Sequence, residues 1–199
     1  MSAPALRSLR AAERREQILD AASVCFAKDG FHAATIAQIS HLAGMSPGHI
    51  YHFFENKEAI VSGIVQRMTE RWLGLMQPYP TGQTVATTLA ERVNLGIRER
   101  TREDFVGLWL EVLAEAARNS TLARAVHATD QQLREAMIEQ IGQIRRMLGI
   151  ETETPLGVIA DVILALYEGL TNRSVSNLDF DANRLEAVLF KTTRAALEA

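Results

Sequence analysis

AGMSPGHIYHFF, residues 43–54, places two glycines and a proline within five positions (Gly44, Pro47, Gly48) and follows them with a cluster of rings. A chain extending one long helix avoids such residues, because in a helix interior glycine costs about 1 kcal/mol and proline about 3 kcal/mol. At a junction they are well suited. Gly44 can take the positive φ of a tight turn, Ser46 is a good N-cap, and Pro47 fits the first helical position, where its missing N–H costs nothing. The stretch therefore predicts two short helices that meet at a sharp angle.

Working outward, Thr35 is an N-cap for a short helix carrying Ile36, Ile39 and Leu42. Before it, residues 14–28 place Ile18, Ala21, Ala22, Cys25 and Phe26 on one stripe at helical spacing, and Asp29-Gly30 ends that segment. After it, Asn56 caps a helix through Ile60, Ile64, Met68 and Trp72, until PYPTG at 78–82 breaks the pattern. Longer helices follow near 84–99, 103–118, 122–148, 155–175 and 181–197. No alternating strand pattern, repeat or low-complexity tract interrupts them. The expectation is all-α: a three-helix domain over 1–60, then a larger helical domain over 61–199.

Composition narrows the function. The chain has 199 residues, 47% apolar and 23% charged, with net charge −3. Residues 1–60 hold six basic groups (7, 10, 14, 15, 28, 57) and six acidic ones (13, 16, 20, 29, 55, 58). A polyanion partner must therefore be met by placed groups, since bulk charge does not attract it. Four of the five histidines (His32, His41, His49, His52) fall in that first part, where they can donate hydrogen bonds. No apolar run approaches the roughly 20 residues of a membrane span, and the first dozen residues lack a secretory core. A single cysteine, Cys25 on an apolar stripe, makes neither a disulfide framework nor a metal cluster and is a poor nucleophile. Metal-ligand spacing, a phosphate-binding glycine loop and a nucleophile elbow are all missing, and Glu111/Glu115 are spaced like a solvated helix edge. A cytoplasmic protein that is not an enzyme, with no cofactor and no metal, is expected.

Two short helices joined by a glycine-bearing turn make a helix-turn-helix, whose second helix enters the DNA major groove. Gly48 lets backbone approach closely there. His49 is the one long polar side chain at the tip, able to meet a base edge, while Ile50 packs inward.

The segment TIAQISHLAGMSPGHIYHFFENKEAIV, residues 35–61, closely resembles the helix-turn-helix of TetR-family regulators, matching at Thr35, Ile36, Ile39, Ala43, Gly44, Met45, Ser46, Gly48, Ile50, Tyr51, Phe54, Lys57 and Ile60. RREQILDAASVCFAKDG, residues 14–30, is similar to that family's first helix. The resemblance implies that Thr35 meets a phosphate, that Pro47, Gly48 and His49 at the Ser46-capped tip face bases, and that Tyr51 and Lys57 hold phosphates on either side. Three departures stand out: Phe53 where relatives often have Tyr or His, with His52 a possible substitute for that contact, then Ser40 and Leu42. Arg7 and Arg10 either form an arm reaching a minor groove or belong to a disordered terminus.

Such a head reads only a few base pairs, so useful affinity calls for two copies on a palindromic operator in double-stranded DNA. The segment 155–175 is apolar nearly all round, and with the last helix it suggests a two-fold homodimer contact through Leu156, Ile159, Ile163, Leu166, Leu170, Leu185, Val188 and Leu189. The resemblance further implies a pocket for a small-molecule effector, hydrophobic or cationic. Its candidate lining is Met68, Trp72, Phe105, Trp109 and Met137, with Asn94, His127, Thr129, Gln140 and Tyr167 as polar handles. A repressor released by its effector is the leading expectation, and an activator or an effector-independent DNA-binding protein of the same architecture is the alternative.

Overall fold

The computed structural model describes residues 3–76 and 84–199, with side chains from residue 5 onward. These residues form nine α-helices and no strand, so the chain is all-α. In order they are α1 (Ala3–Ala33), α2 (Ile36–Leu42), α3 (Pro47–Phe53), α4 (Lys57–Leu75), α5 (Val85–Arg100), α6 (Glu103–Ala116), α7 (Ser120–Leu148), α8 (Leu156–Ser176) and α9 (Glu186–Glu198). A short 3₁₀ turn, Ala182–Leu185, precedes α9. The break expected at 78–82 lies outside the described residues.

Local chemistry accounts for the first boundaries. Gly30 has φ 75° and ψ 166°, so the right-handed path of α1 is interrupted where Asp29-Gly30 was expected to end it, and one more turn follows. Thr35 and Gln38 form a reciprocal capping box at α2, and Ser46 accepts from the His49 N–H at the start of α3. Gly44 takes φ 62° in the turn between them, and Asn56 Oδ1 accepts from Ala59 N at the start of α4. Arg7 and Arg10 are exposed on α1, in helix and not in an extended arm.

The chain separates into two compact units. One contains the residues up to Met68 together with Gly107–Thr129. Its core gathers Ile18, Leu19 and Phe26 of α1, Ile39 of α2, Ile50 of α3, Ile60 and Ile64 of α4, Leu108 and Val112 of α6, and Leu122 of α7. Each such side chain contributes about 1.5–3 kcal/mol on burial. Packing therefore carries this unit past the boundary expected at 60. Three short helices cannot cover both sides of α1, and α6 with the start of α7 supplies the missing apolar wall.

The other unit holds Thr69–Val106 and Asp130–Ala199. In it α5, α8 and α9 pack on one another around Leu89, Val93, Ile97, Ile141, Ile159, Ile163, Tyr167, Leu170, Leu189 and Leu197. Most of the side chains assigned to a two-fold contact turn inward. Ile159, Ile163, Leu170 and Leu189 are buried in the unit's own core, Leu156 and Leu185 are half-buried against it, and Leu166 is half-buried. The large apolar side chains of α8 and α9 left outside are Val158 (52% exposed), Val162 (47%) and Val175 (55%) on α8, with Val188 (62%), itself one of those assigned to the contact, on α9.

Candidate functional site

In the first unit, α3 presents Pro47, Gly48, His49, Tyr51 and His52 to solvent while Ile50 is fully buried. The His49 ring stacks on Phe53 at 5.4 Å, and His52 meets Phe53 edge-on at 5.2 Å. Phe53 is thus a support for two imidazoles. A Cβ added at Gly48 would meet nothing within 4 Å. The fold itself does not require glycine at that position. Ser46 accepts the His49 N–H at 3.2 Å and keeps its own hydrogen for an outside acceptor. Thr35 is more committed: its Oγ1 accepts from Gln38 N at 3.2 Å and donates to Gln38 Oε1 at 2.8 Å, so it must release Gln38 to reach a phosphate.

Lys57, for which the resemblance implied a phosphate, has partners within the chain. Its ammonium donates to the Phe31, His32 and Ala34 carbonyls at 2.5, 3.3 and 3.0 Å, and sits 4.4 Å from the Phe31 ring centroid. The end of α1 leaves those carbonyls without helical partners, and a cation is drawn to that negative pole. The same turn is gripped by α6. Glu111 Oε1 accepts from Phe31 N at 2.6 Å, and Glu115 Oε2 lies 3.0 Å from His32 Nε2. The two glutamates expected on a solvated edge are therefore structural, and Glu115 is only 5% exposed.

The second unit holds an apolar cleft with a free volume of about 80 Å³. Trp72, Leu89, Val93, Leu133, Met137, Ile141, Ile163 and Tyr167 form much of its wall. Gly96 makes room for Tyr167, since a Cβ there would collide with the ring. Burial pushes the Tyr167 hydroxyl up to about 12, so it stays neutral. The charged lining is Arg92 and Arg100, without a carboxylate among the described residues. Arg100 is 4% exposed, and its guanidinium carbon lies 4.7 Å from the Trp72 ring centroid and 5.8 Å from that of Phe105. Elsewhere in this unit Arg71 grips Glu99 with two 2.8 Å bonds and Arg102 adds a third at 2.9 Å. Those hydrogen bonds, Arg71's first, hold the Glu99 carboxyl below the usual carboxylate range.

Comparison with known proteins rests on both units. The family model for bacterial regulatory proteins of the tetR family matches residues 18–64, and that for the C-terminal region of BetI-type transcriptional repressors matches residues 92–198. The chain belongs to the TetR family. It is 30% identical over 187 residues to the HTH-type transcriptional repressor Rv1474c of Mycobacterium tuberculosis, covering 89% of this chain and 90% of that one. It is 27% identical over 158 residues to the HTH-type transcriptional regulator UidR of Escherichia coli, covering 78% and 79% of the two chains. The structure of GusR from Salmonella enterica superimposes with a TM-score of 0.78 at 25% identity, over 94% of this chain and 96% of that one. This TetR-family chain is a DNA-binding transcriptional regulator.

Within this TetR-family fold the residues named for a pocket part company. Trp72, Met137, Gln140 and Tyr167 line the cavity. Phe105 is buried beneath the Arg100 guanidinium, and Asn94 donates to Glu186. Met68 and Trp109 pack against the first unit's core; His127 and Thr129 also belong to that unit, His127 exposed and Thr129 buried. Arg100 was missed. The signal was present, since the buried stripe Leu89–Val93–Ile97 continues at helical spacing to this arginine. No described helix is long and apolar enough to cross a membrane.

Proposed function

We propose that this regulator is a homodimeric repressor that leaves a palindromic operator when a small effector with an apolar body fills the cavity of its second unit. The observation carrying this reading is the presence, in one chain, of an exposed helix preceded by a glycine turn and a cavity walled by apolar side chains with a few polar groups. Pro47, Gly48 and His49 meet base edges, while Ser46, Thr35, Tyr51 and His52 meet phosphates and set position. Lys57 acts as a brace behind the reading helix. Repression is favoured because the Mycobacterium tuberculosis relative is a named repressor and the matching C-terminal model describes repressors. Dimerisation uses the outward faces of α8 and α9, where Val158, Val162 and Val188 are exposed.

If the effector prefers a dimer whose heads are wrongly spaced for successive major grooves, DNA affinity falls by that preference, and DNA weakens effector binding equally. Titrating labelled operator with and without effector, and effector with and without operator, checks this. Equal factors are expected in the two directions, and unequal factors at equilibrium rule the scheme out.

A further inference from the structure

We infer that the effector is an organic anion, a carboxylate on an apolar body, whose charged end pairs with Arg100; this rests on the ligand-responsive reading above and names the chemistry of its site. Arg100 is almost wholly buried, and its Nε has no hydrogen-bond partner; Glu168 and Asp130 act on it only through their charge, and no ion pair or hydrogen bond joins either to it among the described residues. The Trp72 and Phe105 rings lie near the guanidinium. Ring faces satisfy the π-surface of an arginine and leave its in-plane N–H groups bare. Those edge donors match the two oxygens of a carboxylate. An arginine remains charged in proteins, so the group cannot escape by releasing a proton even though desolvation lowers its pKa.

A second donor agrees. The Nε2 of Gln140 lines the same cavity, is buried and has no partner. Two lining donors lack acceptors, and a ligand bringing acceptor oxygens supplies what the wall lacks. Arg92 adds a second positive charge to a lining that contains no Asp or Glu. The cationic option left open by the sequence is thereby disfavoured, because such a head would sit beside two guanidinium groups. The free volume of about 80 Å³ admits a head group and a short body, while a longer chain requires Met137 or Trp72 to move.

The test uses the full-length protein and two matched series: octanoate, octan-1-ol and octyltrimethylammonium, then benzoate, benzyl alcohol and benzyltrimethylammonium. Binding is measured by calorimetry, and operator release by fluorescence anisotropy. Expected is at least a ten-fold preference for the carboxylate in one or both series, lost in Arg100→Met. The wild-type series needs no variant, so a misfolded Arg100→Met leaves the inference exposed to refutation. An alcohol or ammonium binding as tightly as its carboxylate, a preference that survives in folded Arg100→Met, or no binding by any probe overturns it. Carboxylates that bind through Arg100 and leave operator affinity unchanged uphold the anion site at Arg100 and sink the ligand-responsive reading instead.

Discussion

Gly48 is the residue at which fold and function pull apart most cleanly. It occupies an ordinary helical position with open space around it, so Gly48→Ala is expected to stabilise the folded chain by roughly 0.4–1 kcal/mol through the unfolded state. In the proposed docking, the same methyl group stands between backbone and groove. Operator affinity is expected to fall while the melting temperature rises, and a variant that melts higher and binds DNA as well as the parent removes Gly48 from the interface. Lys57 makes the complementary case. Three carbonyls depend on its ammonium, so Lys57→Met is expected to cost about 1.5–3 kcal/mol of stability. DNA binding should weaken at every salt concentration with the slope of log K against log salt unchanged. A slope reduced by about 0.9 instead identifies Lys57 as a phosphate contact.

At the scale of elements, the junction from α5 to α6 carries the acid sensitivity. Glu99 is held low first by the Arg71 hydrogen bonds, and Asp104 by those of Arg102. Carboxyls depressed in the folded state contribute fully above their unfolded pKa, about 4, and lose that contribution as pH drops through the folded values. Glu99→Gln should therefore destabilise at pH 7 by about 1–2 kcal/mol, discounted because Arg71 is half-exposed. The gap between variant and parent should close as unfolding is followed down to pH 3, and a constant gap excludes the ion-pair origin. The helix starts were legible in the sequence because Thr35, Ser46, Pro47 and Asn56 act on neighbours two or three residues away. The turn through Gly44 was legible for the same reason. The inner arc of α8 was not, since a helix apolar on most sides carries no period to orient it, and burial of Ile159 and Ile163 was decided by α5 and α9. The brace made by Lys57 and the burial of Glu115 were not legible either, because their partners lie tens of residues away in sequence, at the end of α1.

For the whole molecule, the exposed valines of α8 and α9 are the place to break the proposed dimer without touching the core. Val162→Asp combined with Val188→Asp is expected to leave helical content and cooperative melting intact while sedimentation shifts from dimer to monomer. Operator affinity should then collapse, because one head alone reads too few base pairs. A double variant that still sediments as a dimer moves the interface elsewhere. Cys25, finally, is the chain's single cysteine; it is sealed in the first unit's core, and burial raises its thiol above the ordinary range. In the folded state such a sulfur is nearly invisible to maleimides and spin labels. The native chain is thus a ready-made spectroscopic blank: one cysteine introduced on the outer face of α3 would report on each head by itself, and the separation between two labels could be followed as operator or effector is added.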